Sequence, residues 1–314
     1  MENRNPTLGL VLGALSYIMW GFLTIYWKLV DGIPPYEILA QRILWSFLFI
    51  VVVIALARRL GVFWRAITDW RVLRDNIPPA IFITLNWFAY IWAVNNGQIL
   101  QAGLGYFINP LVLALLGRMF YAERLNRLEQ ISIAIATLGV AIKTVVYGSF
   151  PYLSIVMAFS FGFYGLFKKR SKLDSLTGLG VETFLTVIPS LIYILMMETS
   201  GQGIHGNLPS SFWFLIALSG AVTATPLLLY SVAAKNLSLT VLGFLQYFSP
   251  SISVGLAAFV YGEPFTLDSM ISFGLIWSAL FLFSISQYHK IRARRAQTAG
   301  MALGARPIRR SNER

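Results

Sequence analysis

Ten runs of mainly apolar residues fill most of the chain, and they set the class of fold that it can adopt. A helix needs about 20 such residues to cross the hydrocarbon core of a bilayer. Charged residues make up only 12% of the 314 residues, whereas a soluble domain carries about 25%. The sequence therefore predicts an all-α polytopic membrane protein with ten transmembrane helices, at residues 8–29, 36–57, 77–95, 101–121, 127–145, 149–167, 177–197, 211–233, 238–260 and 266–287.

The positive charges of the chain, which carries +12 overall, are concentrated in alternate connections between these spans. The connection after the second span, RRLGVFWRAITDWRVLRDN, carries five Arg, and the one after the sixth reads KKRSKLD. The connections around residues 31–36, 96–100, 198–210 and 261–268 contain no Lys or Arg. Because Lys and Arg are enriched in cytoplasmic loops, we expect the N- and C-termini of this multi-pass protein to be cytoplasmic.

The basic segments also predict contacts with the bilayer surface. Phe63, Trp64 and Trp70 alternate with Arg in the second connection, which is typical of a short helix lying at the lipid interface. The basic cytoplasmic tail at residues 288–314 is predicted to be disordered and to face anionic lipids. Binding of this tail to RNA is the other interpretation of its charge. We expect no nucleic acid partner, because Arg clusters beside a final span normally act as the topology signal.

Several kinds of chemistry lack the residues that they need. The chain has no Cys and only two His, so thiolate chemistry and a His-rich metal site are not expected. It contains no G-x-S-x-G, no H-E-x-x-H and no Walker-type G-x-x-x-x-G-K-[ST] sequence. We therefore predict that the protein is not an enzyme, uses no cofactor or metal, and does not hydrolyse ATP itself.

The chain also contains an internal repeat. A shift of 140 residues pairs Asn96 with Asn236, Gly103 with Gly243, Pro110 with Pro250, and YAE (121–123) with YGE (261–263). The common order of these pairs predicts two five-helix repeats, at residues 8–145 and 149–287. Because five is odd, the second repeat must enter the membrane from the opposite side. Such inverted repeats are typical of secondary transporters, which bind their substrate near the midplane between the two halves.

Several motifs give the chain a family resemblance. They are WG in span one, E-x-x-x-x-R from Glu37 to Arg42, NWFAYIWAVNN, LGYFINPLV, the YAE and YGE endings, and GFLQYFSP. With these motifs the chain resembles the drug/metabolite transporter (DMT) superfamily, and within it the RarD-type members of the EamA family, over nearly all of residues 8–287. The resemblance implies a ten-helix transporter of the bacterial inner (plasma) membrane, with a central cavity lined by spans one, three, four, six, eight and nine.

Polar and aromatic side chains within the spans are the candidates for binding a small-molecule substrate. A polar group that faced lipid would leave its hydrogen bonds unmade, so each must face protein or water. Contact between helices is the alternative role, in which such a hydrogen bond contributes about 0.6 kcal/mol. Aromatic rings among them would supply flat apolar walls. The predicted substrate-binding residues are Trp20, Arg42, Asn86, Tyr90, Tyr106, Asn109, Tyr164, Gln246 and Tyr247.

Two prolines and two glutamates are predicted hinge or gate residues. Pro110 and Pro250 each remove a backbone donor and clash with the carbonyl four residues earlier. We expect broken helices whose freed carbonyls, such as that of Tyr106, face the cavity, and a merely structural kink is the alternative. Glu123 and Glu263 end spans four and nine, where helix capping and gate ion pairs both fit the sequence.

Ionisable residues inside the spans are sharper signals, because a charge at the bilayer centre costs at least about 2.5–3.5 kcal/mol. Arg42 lies about 9 Å from the outer end of span two, and we expect it to matter for transport. Lys28 and Lys143 lie in the same outer region, where we expect interfacial roles. Glu37 and Glu182 both stand near the start of the second span of their repeat.

These features predict a secondary transporter, and an exporter, of small organic metabolites or drugs, working by alternating access between two inverted repeats. A passive channel or facilitator on the same scaffold is the alternative. An intramembrane enzyme or assembly scaffold is a third hypothesis, and a homodimer is compatible with the sequence.

Overall fold

The computed structural model describes residues 5–29, 33–204, 210–260 and 267–304, with most of their side chains. This part of the chain forms twelve helices and no strand. They are α1 (Pro6–Leu29), α2 (Pro35–Leu56), α3 (Leu60–Thr68), α4 (Trp70–Asn95), α5 (Ile99–Tyr121), α6 (Arg127–Tyr147), α7 (Tyr152–Arg170), α8 (Ser175–Thr199), α9 (Ser210–Asn236), α10 (Leu239–Gln246), α11 (Phe248–Phe259) and α12 (Leu267–Gly304).

Eight stretches of the described helices are long and apolar enough to cross a membrane. They are α1, α2, α5, α6, α8, α9, the pair α10–α11, and α12. The α4 and α7 helices are not among these eight; α4 begins with WRVLRDN, and α7 ends with Lys168, Lys169 and Arg170. Both pack among the others, α4 on α7 and α8, and α7 on α5. The all-helical fold is therefore confirmed, while the predicted count of ten spans is approximate.

The packing of the helices repeats when the two halves are exchanged. With α1, α2, α4, α5 and α6 matched to α7, α8, α9, α10–α11 and α12, the contact of α1 with α9 becomes that of α7 with α4. The contact of α5 with α7 likewise becomes that of α10–α11 with α1, and the contact of α2 with α9 becomes that of α8 with α4. The structure therefore contains two repeats that share one helix arrangement.

Individual hydrogen bonds follow the same exchange. The Ser16 hydroxyl donates to the carbonyl of Pro226 over 2.8 Å, which joins α1 to α9. When the halves are exchanged, Ser16 corresponds to Ser160 and Pro226 corresponds to Asn86. The Asn86 amide donates to the Ser160 hydroxyl over 3.3 Å, which joins α4 to α7. Equivalent positions thus use polar groups for equivalent helix contacts.

The α2 and α9 helices approach each other closely at one glycine. A Cβ atom at Gly220 of α9 would overlap the backbone carbonyl of Trp45 in α2. The Ser46 hydroxyl donates to the carbonyl of Gly220 over 3.4 Å at the same place. The absence of a side chain at residue 220 therefore allows the two backbones to meet, as small residues do between membrane helices.

One end of the bundle, which we call the terminal face, collects the start of α1 and the connections at residues 57–59, 122–126, 171–174 and 237–238. Cross-contacts hold these connections together, since Asn5 donates its backbone N–H to the Asn236 side chain and Arg59 pairs with Asp174 at 3.0 Å. The other end, at which α2 and α5 begin, is called the opposite face below. The short α3 helix lies at the terminal face with Phe63 buried and Trp64 66% exposed.

The prolines do not act symmetrically, which corrects one prediction. The α5 helix runs unbroken through Pro110, whereas the second half breaks at Tyr247, between α10 and α11 and three residues before Pro250. Neighbouring helices can satisfy the backbone groups that a proline frees inside a membrane helix, so a proline need not break it. The broken helix predicted at Pro110 is therefore wrong.

The α12 helix passes the predicted end of the last span at residue 287 and continues to Gly304. The tail had been predicted to be disordered from residue 288. Its Ala- and Arg-rich sequence favours helix once a preceding span has nucleated one. The predicted gate residue Glu263, the side chain of Lys28 and residues 305–314 lie outside the described part of the chain.

Candidate functional site

Arg42 lies at the centre of a cluster of aromatic side chains from three helices. Its guanidinium carbon stands 4.2 Å from the ring centre of Trp87 in α4, a cation–π contact. The phenol groups of Tyr26, Tyr90 and Tyr106 lie near the same guanidinium. We call Arg42, Trp87, Tyr90 and Tyr106 the arginine cluster. The structure therefore brings together three of the predicted substrate-binding residues.

The members of the arginine cluster lie at one depth. Arg42 and Tyr106 are each seven residues from the start of their helices, and Tyr90 is five residues from the end of α4. At 1.5 Å per residue these positions lie about 8–10 Å below the opposite face. The rings of Tyr90 and Tyr106 are 6.2 Å apart and inclined by 59°.

This cluster is open. Tyr106 is 37% exposed although its helix packs against α4, α7 and α10. Arg42, Trp87 and Tyr90 are each partly exposed as well. The Arg42 guanidinium and the Tyr90 phenol are among the neighbours of Tyr106, so part of its surface adjoins polar groups. We call the exposed surface of the arginine cluster, about 8–10 Å from the opposite face, the recess.

A second cluster of aromatic side chains lies deeper in the bundle. Tyr164 and Tyr230 stack with ring centres 5.7 Å apart, and both are 0% exposed. Trp20 lies 5.7 Å from Phe161 and 5.8 Å from Tyr230, and Tyr17 lies 5.3 Å from Trp20. We call these five residues the aromatic floor. The predicted residues Trp20 and Tyr164 therefore both belong to the aromatic floor, where each contacts Phe161 and Tyr230, and they do not join the arginine cluster.

The amide side chains that had been predicted to face substrate lie between helices. Asn86 donates to the carbonyl of Met157 over 2.8 Å, and Asn109 donates to the carbonyl of Ala158 over 2.6 Å. Both are at most 5% exposed. Gln246 is 3% exposed on α10. These positions favour the alternative role of contact between helices, and their role in binding stays a prediction.

Tyr247 joins the two halves at the break between α10 and α11. It is 0% exposed, and its hydroxyl donates to the carbonyl of Phe107 in α5 over 3.3 Å. The sequence had led us to expect that the carbonyl of Tyr106 would be freed toward the cavity. The structure instead directs a tyrosine hydroxyl to the next carbonyl along α5.

The structure contains a buried ion pair that we did not predict from the sequence. Lys168 of α7 lies 2.8 Å from Glu182 of α8, and their side chains are 1% and 3% exposed. The Tyr164 hydroxyl also donates to Glu182, over 3.4 Å. Lys168 had been grouped with the basic connection KKRSKLD. Three consecutive cations on a helix span 200° of its surface, so one of them had to face the bundle, and this was the available signal.

Glu123, at the terminal face, caps a helix of the other half. Its carboxylate accepts hydrogen bonds from the backbone N–H groups of Leu239 at 2.7 Å and Thr240 at 3.0 Å, and from the Thr240 hydroxyl at 2.7 Å. These are the first residues of α10, where a negative charge is favoured by the helix dipole. The structure therefore shows the capping role of Glu123, and a gate role stays a prediction.

Two lysines tie the ends of α7 and α9 together. Lys169 at the end of α7 donates to the carbonyl of Leu237, just after α9. Lys235 at the end of α9 donates in return to the carbonyl of Leu173, just after α7. We call these two lysines and Glu123 the terminal latch. A cavity of about 420 Å³ lies at this face, lined by Tyr121, Lys169, Asn236 and Lys290 among others.

Two further ion pairs join α6 to α12, one near each end of the bundle. Lys143 lies 2.7 Å from Asp268 near the opposite face, which agrees with the structural role expected for it. Glu129 accepts from Lys290 at 2.6 Å near the terminal face. Glu37 is 3% exposed and accepts a hydrogen bond from Gln41 over 3.1 Å.

Comparisons with known proteins agree with this architecture. The model of the EamA-like transporter family matches residues 7–145 and 151–285. The chain is 43% identical over 302 residues to the uncharacterized transporter YojE of Bacillus subtilis, which covers 93% of this chain and 99% of that protein. It is 37% identical over 283 residues to the protein RarD of Escherichia coli, covering 90% of this chain and 96% of that protein.

A crystal structure of another protein has the same fold, with a TM-score of 0.65 and 20% identity over 87% of this chain and 96% of the other. The two matched segments of the family model coincide with the two repeats that the helix packing relates. The chain therefore belongs to the EamA-like transporter family and is a membrane transporter.

Proposed function

We propose that the protein is a secondary transporter that moves a small organic solute by alternating access between its two repeats. The arginine cluster receives the solute from the opposite face, and the aromatic floor blocks its further passage. Opening toward the terminal face requires the terminal latch to release.

The main support for this proposal is that side chains near the opposite face are exposed, whereas those of the aromatic floor are buried. Tyr106 is 37% exposed in the recess, while Tyr164 and Tyr230 of the floor are each 0% exposed. A carrier must be closed on one side whenever it is open on the other. Two related repeats can exchange these arrangements at similar energy, as in other transporters built from repeats.

We propose further that the terminal face is cytoplasmic and that the membrane is the bacterial inner membrane. The connections at this face carry the excess of Lys and Arg, including Arg58, Arg59 and Lys172. Trp64 and Trp70, each 66% exposed beside these charges, suit the interface with anionic lipids. Reporter fusions after Arg59 and Lys169 should report the cytoplasm, and fusions after Gly148 and Gly201 the outside. Reversal at two or more sites would contradict this orientation.

A passive channel is the competing function, and counterflow in proteoliposomes separates the two. Metabolites that differ between deletion and overexpression strains supply the solutes to be tested. A carrier accelerates entry of labelled solute when unlabelled solute is present on the far side, whereas a channel does not. We propose export as the direction, to be tested by uptake into inside-out vesicles. Absence of trans-stimulation for every solute that crosses would overturn the carrier mechanism.

A further inference from the structure

The arginine cluster has a charge and a shape that together select one class of solute. Resting on the proposed transport function, we propose that the recess binds organic monocarboxylates that carry a ring or a short apolar chain. The carboxylate lies against Arg42, and the apolar part lies among Trp87, Tyr90 and Tyr106.

The charge comes from a single guanidinium about 10 Å inside the membrane. One face of it lies on Trp87 at 4.2 Å. A guanidinium has five N–H donors in one plane, so it can keep contacts with its surroundings and still offer two parallel donors to a carboxylate. The contact with the indole also restricts the positions that the guanidinium can take.

The groups around Arg42 match a single negative charge better than two. The phenols of Tyr90 and Tyr106 carry hydroxyl groups, which can donate to a carboxylate but cannot balance a second charge. A phosphate dianion would therefore be only half compensated in this recess. A cationic solute would meet the guanidinium directly, and like charges in contact are unfavourable.

The nearest acidic side chain on the same helix is turned away from this position. Glu37 precedes Arg42 by five residues, which places it about 140° around the helix. Its carboxylate accepts from Gln41 at 3.1 Å, and it is 3% exposed. The recess therefore offers the cation of Arg42 and the hydroxyl groups of Tyr90 and Tyr106 to a solute, whereas the Glu37 carboxylate lies on another side of α2.

The walls select the rest of the solute. Tyr90 and Tyr106 are inclined by 59° with ring centres 6.2 Å apart, so a flat group can lie against one face and meet the edge of the other. Trp87, which contacts Arg42, supplies a third aromatic surface to the recess. Pockets of this composition take most of their affinity from apolar contact and their selectivity from the few polar groups.

The test uses three solutes of nearly equal shape and different charge. These are 3-phenylpropionate, its neutral amide and 3-phenylpropylamine, with acetate to remove the ring. Binding to the purified full chain in nanodiscs is followed by quenching of tryptophan fluorescence and by the shift in melting temperature. We expect the carboxylate to bind about 10- to 100-fold more tightly than the amide, the loss expected for a charge-assisted hydrogen bond. The amine and acetate should bind more weakly than the carboxylate.

Variants locate the effect. Arg42→Gln should remove the preference for carboxylate over amide, and Arg42→Lys should retain part of it because the charge remains. Lys143→Gln is the matched control, since it removes a cation near the same face on the far side of the bundle, where Lys143 pairs with Asp268. Its preference should equal that of the wild type. The melting temperature of each variant without solute shows that it is folded.

The outcomes separate this inference from the transport function. Equal affinity for carboxylate and amide, no saturable binding of any of the four, or a preference that survives in Arg42→Gln would overturn the inference. Counterflow of a neutral or cationic metabolite would then still support a transporter. Tight, Arg42-dependent binding of carboxylates without counterflow would leave the site in place and remove the transport proposal.

Discussion

The Tyr247 hydroxyl donates to the carbonyl of Phe107 over 3.3 Å, and the two residues are 140 positions apart. This is the shift that relates the two repeats, so the bond joins one position to its own counterpart and lies where the pseudo-symmetry of the bundle has its axis. A bond at the axis lies at the junction about which the two halves must rearrange. Tyr247 also occupies the break between α10 and α11, so it combines an interruption of the helix with a contact between halves.

We expect Tyr247→Phe to lower the free energy of unfolding by about 1 kcal/mol, because it removes one hydrogen bond between buried helices. The ring contact with Phe244, at 6.0 Å, should persist. Thermal unfolding in detergent measures the first effect, and the rate of counterflow measures whether transport is affected. Tyr288→Phe, at a 62% exposed position, is the control. An unchanged melting temperature for Tyr247→Phe would contradict the assigned bond.

The close approach of α2 and α9 makes a second prediction. Gly220→Ala should destabilise the protein by about 1–3 kcal/mol, the usual cost of overpacking, because the new methyl group overlaps the backbone of Trp45. Gly274→Ala is the matched control, since a Cβ atom there meets nothing within 4 Å. The control should be neutral or slightly stabilised, because alanine favours helix over glycine. Equal melting temperatures for the two variants would show that the helices can separate at no cost.

The sequence predicted the helices well because a membrane span is signalled by composition over about 20 residues, which no tertiary contact can hide. It also singled out Arg42, Tyr90 and Tyr106, since charge and polarity within a span demand a protected environment, and the structure brings these three together, while their role in binding stays a prediction. The interfacial role expected for Lys143 was predictable in the same way, because its depth favours an ion pair.

The sequence could not predict which groups on neighbouring helices would contact each other. Asn109 and Asn86 have the sequence context of cavity residues, yet each meets a carbonyl of α7, and only the packing of α7 decides that. The unequal effects of Pro110 and Pro250 have the same origin, because the neighbours of a proline decide whether the helix breaks. Lys168 was hidden for a different reason, since its neighbours Lys169 and Arg170 resemble a surface cluster.

The Lys168–Glu182 pair makes a third prediction. Removing one partner leaves a buried charge without compensation, so Lys168→Met or Glu182→Met should each destabilise the protein by about 3–5 kcal/mol. The double variant should recover most of this loss, because two apolar side chains replace two desolvated charges. Lys172→Met, on an exposed lysine of the adjoining connection, is the control and should change little. A double variant no more stable than the worse single variant would indicate that the two residues do not act as a pair.

Asp174 gives a pH-dependent prediction at the terminal face. Partial burial alone would raise the pKa of this carboxyl, but hydrogen bonds from Thr177 and the charge of Arg59 outweigh it and hold the pKa below its usual value. A carboxyl with a depressed folded pKa stabilises the protein above the unfolded pKa of about 3.9, and loses this contribution as the pH falls through the folded pKa. Asn caps a helix about as well as Asp, so Asp174→Asn removes mainly the charge.

Melting temperatures measured from about pH 3 to pH 7 test this relation. The wild type should melt above Asp174→Asn at the neutral end, and the gap should close below about pH 4. Asp75→Asn is the control, because Asp75 pairs with Arg74 at a site where both side chains are 65% exposed. Surface pairs of this kind contribute little, so no comparable gap is expected. A gap that widens toward acid pH would contradict the role assigned to Asp174.

The terminal latch makes the last prediction, which concerns the closed state itself. Glu123 holds three donors at the start of α10, and a charge-assisted hydrogen bond contributes about 1.5–3 kcal/mol. Glu123→Ala should therefore raise the fraction of molecules open at the terminal face by about ten-fold or more.

Because the chain contains no Cys, a single introduced thiol can report this opening. Ser231→Cys is suitable, since residue 231 is 0% exposed and adjoins Tyr230 of the aromatic floor. Its reaction with a small aqueous thiol reagent should accelerate when Glu123 is replaced, and should stay unchanged when the exposed neighbour Arg124 is replaced by Ala.

A second thiol distinguishes opening of the terminal face from a general loss of stability. It is placed at Ala136, which is 0% exposed on α6 and away from the floor. Faster labelling at residue 231 alone identifies Glu123 as a gate. Equal acceleration at both positions identifies a general loss of stability, and no acceleration at either shows that Glu123 serves only as the cap of α10.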